Sequence, residues 1–170
     1  MFGSLSQQSW LLQTSKRLQE EYMSDAEALK LNIAAPRLAF LHIPPREFNY
    51  SFDLPKIGVQ QEAVSSSGLN SGLFTTLFSA RDVKALLVGH DHINDFCGDL
   101  FGIKLCYGGG IGYHAYGLVG WPRRARVVAV NLEKTEYGWG PVQSIKTWKR
   151  LDDPNFSAID DQTLWDFQFY

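Results

Sequence analysis

Three of the four histidines in this chain, His42, His90 and His92, close short apolar runs, and their chemistry sets the question. His90 and His92 stand one residue apart behind Gly89, which lets the backbone turn sharply, so the two imidazoles can approach a common point. Imidazole suits zinc, iron and related transition metals. The spacing therefore points to a metal site, with two solvated or backbone-bonded histidines as the alternative. His42 follows the run 38–41 in the same way, and ligands in open α/β sheets gather at such carboxyl ends of strands. A mononuclear site formed by the three histidines alone is a further reading.

The remaining polar residues give weaker signals. Asp91, between two histidines, is expected to face outward from its loop. Asn94 and Asp95 either orient His90 or His92 through hydrogen bonds, which ligating imidazoles usually need, or simply form the turn. Glu62 and Asn70 lie in or after a long loop that would overhang the histidines, where they could meet a substrate. His114, inside a glycine-rich stretch, reads as an ordinary exposed histidine, with a phosphate contact as its other role. Arg123, Arg124 and Arg126 beside Trp121 are the one basic cluster. Nucleic acid could use them, but a solvated strand start is the expectation.

These residues need a scaffold. Ser4 and Gln7 fit a capping box, and Leu11, Leu18 and Tyr22, with Leu5 and Leu12 beside them, recur at helical spacing to about residue 22. The opposite face carries Lys16, Arg17, Glu20 and Glu21, so the helix should lie on a sheet. Beyond Pro36, the run 37–43 reads as a strand buried on both faces. The stretch 44–69 has no clear period, a second helix begins near Asn70, and 83–88 is another buried strand. Shorter extended pieces follow at 101–107, 126–132 and 142–151, where Trp148 between Lys146 and Arg150 suggests a charge-protected edge strand. Helix and strand signals alternate first and strands dominate later, which argues for an α/β sandwich, β-rich toward the C-terminus.

With 170 residues, 45% of them hydrophobic, the chain has material for one core and no reason to be disordered. A formal charge of −2 supplies no field that would draw it to nucleic acid or an anionic membrane. No apolar run approaches a membrane span, and residues 1–8 lack a secretory pattern, so a cytoplasmic protein is the default expectation. Cys97 and Cys106 flank a Gly-containing segment; a bridge across a hairpin and two buried free thiols both remain open, with free thiols expected.

Gly89-His90-Asp91-His92, with the Asn94-Asp95-Phe96-Cys97-Gly98 that follows, resembles the Gly-His-x-His motif of calcineurin-like metallophosphoesterases, in the variant of plant and fungal purple-acid-phosphatase-like proteins. Leu41-His42-Ile43-Pro44 resembles that family's upstream histidine motif. Leu105-Cys106-Tyr107-Gly108-Gly109, Trp121-Pro122-Arg123-Arg124 and Trp148-Lys149-Arg150-Leu151-Asp152-Asp153 are similar to the same subfamily.

The resemblance implies a single partial domain over 1–170, the C-terminal half of a calcineurin-like α/β/β/α sandwich. It implies that His42 and His90 bind one metal and His92 a second, the metals being iron, zinc or manganese in relatives. The implied activity is hydrolysis of phosphate monoesters by a metal-activated hydroxide. The family's Asp-x-His, Gly-Asp and Gly-Asn-His motifs are not in this sequence, and Gly98-Asp99 is misplaced to stand in for them. This chain alone is therefore expected to be inactive. A non-catalytic module that binds a phosphorylated ligand or partner is the alternative, and a complementing N-terminal half is the implied partner. Without that half, an open sheet edge and uncovered apolar faces are expected, and with them aggregation.

Overall fold

The computed structural model describes residues 4–24, 34–136 and 138–167. Helix α1 spans Leu5–Met23 and opens with the predicted capping box, Gln7 N–H donating to the Ser4 hydroxyl while Ser4 N–H donates to the Gln7 side chain. Strand β1 (Arg37–Phe40) follows, then a 3-10 helix (Arg46–Phe52) and the two-residue β2 (Lys56–Ile57). Helix α2 (Leu73–Ala80), β3 (Val83–Val88), β4 (Cys97–Leu100) and β5 (Ile103–Tyr107) complete the first sheet. The second consists of β6 (Arg124–Thr135), β7 (Gly138–Leu151) and β8 (Ala158–Asp166).

The five-stranded sheet has the order β1-β3-β5-β4-β2, with β1, β3 and β5 parallel. Successive side chains of β3 leave on opposite faces, and both faces are covered. Leu86 and Val88 join Phe48, Phe74, Leu77 and Tyr107 on the helical side, whereas Ala85 and Leu87 meet Ile145 and Leu164 of the second sheet. The layers are helix, mixed sheet, antiparallel sheet: an α/β fold that becomes strand-rich toward the C-terminus, as a partial sandwich of the expected kind should be.

A buried carboxylate fastens the helical layer. Asp82 accepts from Ser15 and Gln19 of α1 at 2.6 and 2.9 Å and pairs with Arg37 of β1 at 2.9 Å. Leu11 packs on the core, but Leu5 and Trp10 are mostly exposed, so α1 covers the sheet only in part. Between α1, β1 and α2 lies an apolar groove of about 380 Å³ lined by Trp10, Leu11, Leu38, Phe40 and Leu77. β1 is the sheet's edge and Phe40 is 66% exposed, so this strand is half-covered where the sequence reads as buried on both faces. The apolar run 37–43 is that of an interior strand, yet among the described residues β1 has a neighbour on one side only.

Three further expectations are corrected. Cys97 and Cys106 are directly opposed on β4 and β5 and form a disulfide. β7 is the centre of its sheet, not an edge; Lys146 and Arg150 are exposed because they alternate with Ile145, Thr147 and Lys149, which are buried. Nor are the arginines solvated. Arg124 is buried against Asp95 at 2.7 Å with Trp121 stacked on its guanidinium. Arg126 donates to the carbonyls of Tyr107 and Asp95 at 2.8 and 2.6 Å, and burial pushes its pKa down to about 10. No helix among the described residues is long and apolar enough to cross a membrane.

Candidate metal centre

Parallel pairing places the first two histidines. Beyond the end of β1, Leu41 N–H donates to Leu87 and Gly89 N–H donates to the His42 carbonyl, so His42 lies alongside the turn that carries His90. Nε2 of His42 and Nδ1 of His90 are 3.2 Å apart, the rings meeting edge-on at 78°. As placed, one ring donates to the other. The separation is also close to that of two imidazole nitrogens each about 2.0–2.1 Å from one tetrahedral cation, about 3.3 Å, so a cation in place of that proton would need little change in distance.

His92 is turned elsewhere. Its ring stacks on Tyr116 at 4.3 Å with the planes 9° apart, and its Nδ1 is 3.2 Å from the Tyr116 carbonyl. Among the described residues no three His, Cys, Asp or Glu side chains converge closely enough to hold a metal. Asp99 lies in β4 opposite Lys104, with which it pairs, and accepts from Gly102 N–H.

The residues around the histidines form a closed frame. Asp91 is 2% exposed and accepts from Tyr107 Oη at 2.5 Å and Ser65 N–H at 3.0 Å, contrary to the expected outward position. The turn that follows β3 explains it: Asn94 N–H closes on the Asp91 carbonyl, and the Asp91 carboxylate is held inward by Tyr107 and Ser65. Burial first, and then the bond to Asp91, raise the Tyr107 pKa far above the ordinary phenol range.

Asn94 and Asp95 touch none of the three histidines. Asn94 holds the backbone of Gln61 and Glu62, and Asp95 accepts from Val59 N–H at 2.7 Å, Arg124 at 2.7 Å and Lys149 at 2.8 Å. Burial opposes the charge of Asp95, but Lys149, Val59 N–H and Arg124 outweigh it and hold the carboxyl below its ordinary range. Glu62 accepts from Ile93 N–H and Tyr116 Oη, both at 2.9 Å, so it braces the histidine turn. Asn70 donates to Glu47 and accepts from Gly72 N–H. It also lines, with His90, Arg46 and Ser65 to Ser67, a cavity of about 430 Å³. His114 is exposed.

Tyr116 and Arg123 are contacts that sequence reasoning missed. Their signal was the glycine spacing. A Cβ on Gly110 would come within 3.2 Å of the His92 Cβ, and one on Gly117 would come within 2.6 Å of the Arg123 guanidinium.

A mixed α/β sheet that presents paired imidazoles at adjacent parallel strand ends defines an α/β protein with a candidate histidine site. Comparison with known proteins narrows this. The chain is 58% identical over 163 residues to probable inactive purple acid phosphatase 29 of Arabidopsis thaliana, covering 94% of this chain and 41% of that protein. It is 53% identical to probable inactive purple acid phosphatase 14 of the same plant, over 94% and 40% of the two chains. It is 31% identical to phosphatase DCR2 of Saccharomyces cerevisiae, over 89% and 27%. The chain belongs to the purple acid phosphatase family. It spans about two fifths of the length of its plant relatives. Membership implies metal cofactors. No family model matches the chain, and no solved structure matches it.

Proposed function

We propose that His42, His90 and His92 are the histidine ligands of a two-metal phosphoester site, His42 and His90 sharing one cation and His92 serving the other. The carrying observation is the 3.2 Å approach of His42 Nε2 to His90 Nδ1 across adjacent parallel strand ends. Metals bound there, of the iron, zinc or manganese class, would hold phosphoryl oxygens and acidify a water. The chain's own contribution is placement: β1 and β3 deliver two imidazoles, and the frame of Asp91, Glu62 and Tyr107 keeps their loop from collapsing.

Among the described residues no carboxylate joins the histidines, so turnover of phosphate monoesters belongs on this reading to the full-length protein, with the remaining segment as the partner that completes the site. Neither nucleic acid nor membrane is proposed as a partner. The Cys97–Cys106 bridge favours an oxidising compartment over the cytoplasm that the sequence suggests by default. A second reading, a non-catalytic module binding a phosphorylated ligand or partner, draws support from the relatives named inactive.

Metal analysis of the purified chain after loading with zinc, together with an aryl phosphate assay, tests the proposal. Binding that His42→Ala and His90→Ala both weaken, without turnover, is the expected result. Turnover abolished by His90→Ala would overturn the half-site reading. Absence of any bound metal would favour the non-catalytic module.

A further inference from the structure

We infer that Tyr116 is a positioning residue for His92, held by Arg123 and Glu62, which selects the nitrogen that His92 presents. The inference rests on His92 being a ligand, but its geometry can be read without metal.

A neutral imidazole has one N–H and one lone pair, and the partner of one nitrogen decides which role the other takes. Stacking on Tyr116 fixes the plane of the His92 ring but not its edge, because a half-turn about Cβ–Cγ leaves the plane unchanged. The Tyr116 carbonyl, 3.2 Å from Nδ1, breaks that tie: an oxygen acceptor requires a proton on Nδ1 and leaves the lone pair on Nε2. His90, by contrast, turns its Nδ1 toward His42.

The carbonyl is held from the other side. Arg123 donates to it at 2.7 Å and to the Ala115 carbonyl at 2.7 Å, and only a glycine at 117 leaves room for that guanidinium. The Tyr116 hydroxyl closes the clamp, accepting from His92 N–H at 2.9 Å and donating to Glu62, which also receives Ile93 N–H. Glu62 is in turn fixed through its backbone by buried Asn94. Tyr116 thus meets His92 by ring, carbonyl and hydroxyl at once, more than packing alone requires.

The test is the tautomer of His92 in the metal-free full chain, read from long-range proton–nitrogen correlations with histidine labelled in ¹⁵N. The expected pattern is a protonated Nδ1 and an unprotonated Nε2. Tyr116→Phe, which keeps ring and carbonyl, should preserve it. Tyr116→Ala, which keeps the carbonyl but removes the ring and hydroxyl that hold His92 to it, and Arg123→Ala, which frees the carbonyl, should shift the tautomer toward the Nε2–H form and weaken zinc binding about tenfold to a hundredfold, the range for lost partners of a ligating histidine. If Tyr116→Ala fails to fold, Arg123→Ala carries the test, with its urea unfolding transition reporting an intact fold. An Nε2–H form in the unaltered chain, or an unchanged tautomer in folded Arg123→Ala, would overturn the inference. An Nδ1–H form in a chain that binds no zinc would support the clamp and remove the ligand role instead.

Discussion

Replacing Asp95 by asparagine should unfold this protein more readily than any substitution at a histidine. Its carboxylate is completely buried and takes Lys149, Arg124 and the Val59 amide, so it joins the loop under Glu62 to the second sheet. Asparagine keeps the shape but removes the charge, leaving Arg124 without a carboxylate and Lys149 with Asp160 alone. Breaking a buried pair by removing one partner costs about 3–5 kcal/mol. A domain of this size holds about 5–15 kcal/mol in all, so about a fifth of its stability or more would go. Urea unfolding at pH 7, followed by tryptophan fluorescence, measures the difference. A loss below about 1 kcal/mol, the range of exposed pairs, would refute the reasoning. Acid supplies a second check. Because the folded pKa of Asp95 is depressed, its contribution is present above the ordinary carboxyl value near 3.9 and is lost as pH falls through the folded value. The natural chain should therefore weaken below about pH 4 by an increment that Asp95→Asn lacks.

Other perturbations probe other joints. Asp82→Ala frees Ser15, Gln19 and Arg37 together and should cost about 3 kcal/mol in the same urea experiment, with hydrogen exchange rising in α1. Removing the disulfide with Cys97→Ala and Cys106→Ala should cost about 2–3 kcal/mol by loop-closure entropy; unchanged unfolding under reducing conditions would contradict the bridge. Gly58→Ala places a Cβ 2.7 Å from the Asp95 carbonyl at φ +103° and should lower the thermal midpoint by several degrees. Phe40→Lys, at the uncovered edge, should reduce light scattering at fixed concentration, and no change would exonerate that edge as a source of association.

The elements that carry the histidines were legible because short-range physics specifies them. Ser4 and Gln7 announce the start of α1, and the apolar run Val83–Val88 can only be an interior strand ending at Gly89. Polar residues inside the protein were not legible. Arg124 and Asp91 read as solvated residues, Asp95 as an orienting or turn residue, and Lys149 carried no signal of its own, yet each is buried because a partner far along the chain neutralises or hydrogen-bonds it. β8 escaped notice because Asp160 and Asp161 interrupt its apolar alternation, although Asp160 pairs with Lys149. The loop 44–69 looked featureless since the atoms that order it belong to Asp91, Asn94 and Asp95, some 26 to 36 positions later.

His42 hangs from the rim of the sheet, while His90 hangs from its interior. Because among the described residues β1 has hydrogen-bonded company on one flank alone, its outward amides should trade protons with solvent freely while those of Arg37 and Leu41, bonded to Asp82 and Leu87, remain shielded. A strand that came to lie along that rim would brace the segment leading to His42 first, and would reach His90 only through the contact between the two rings.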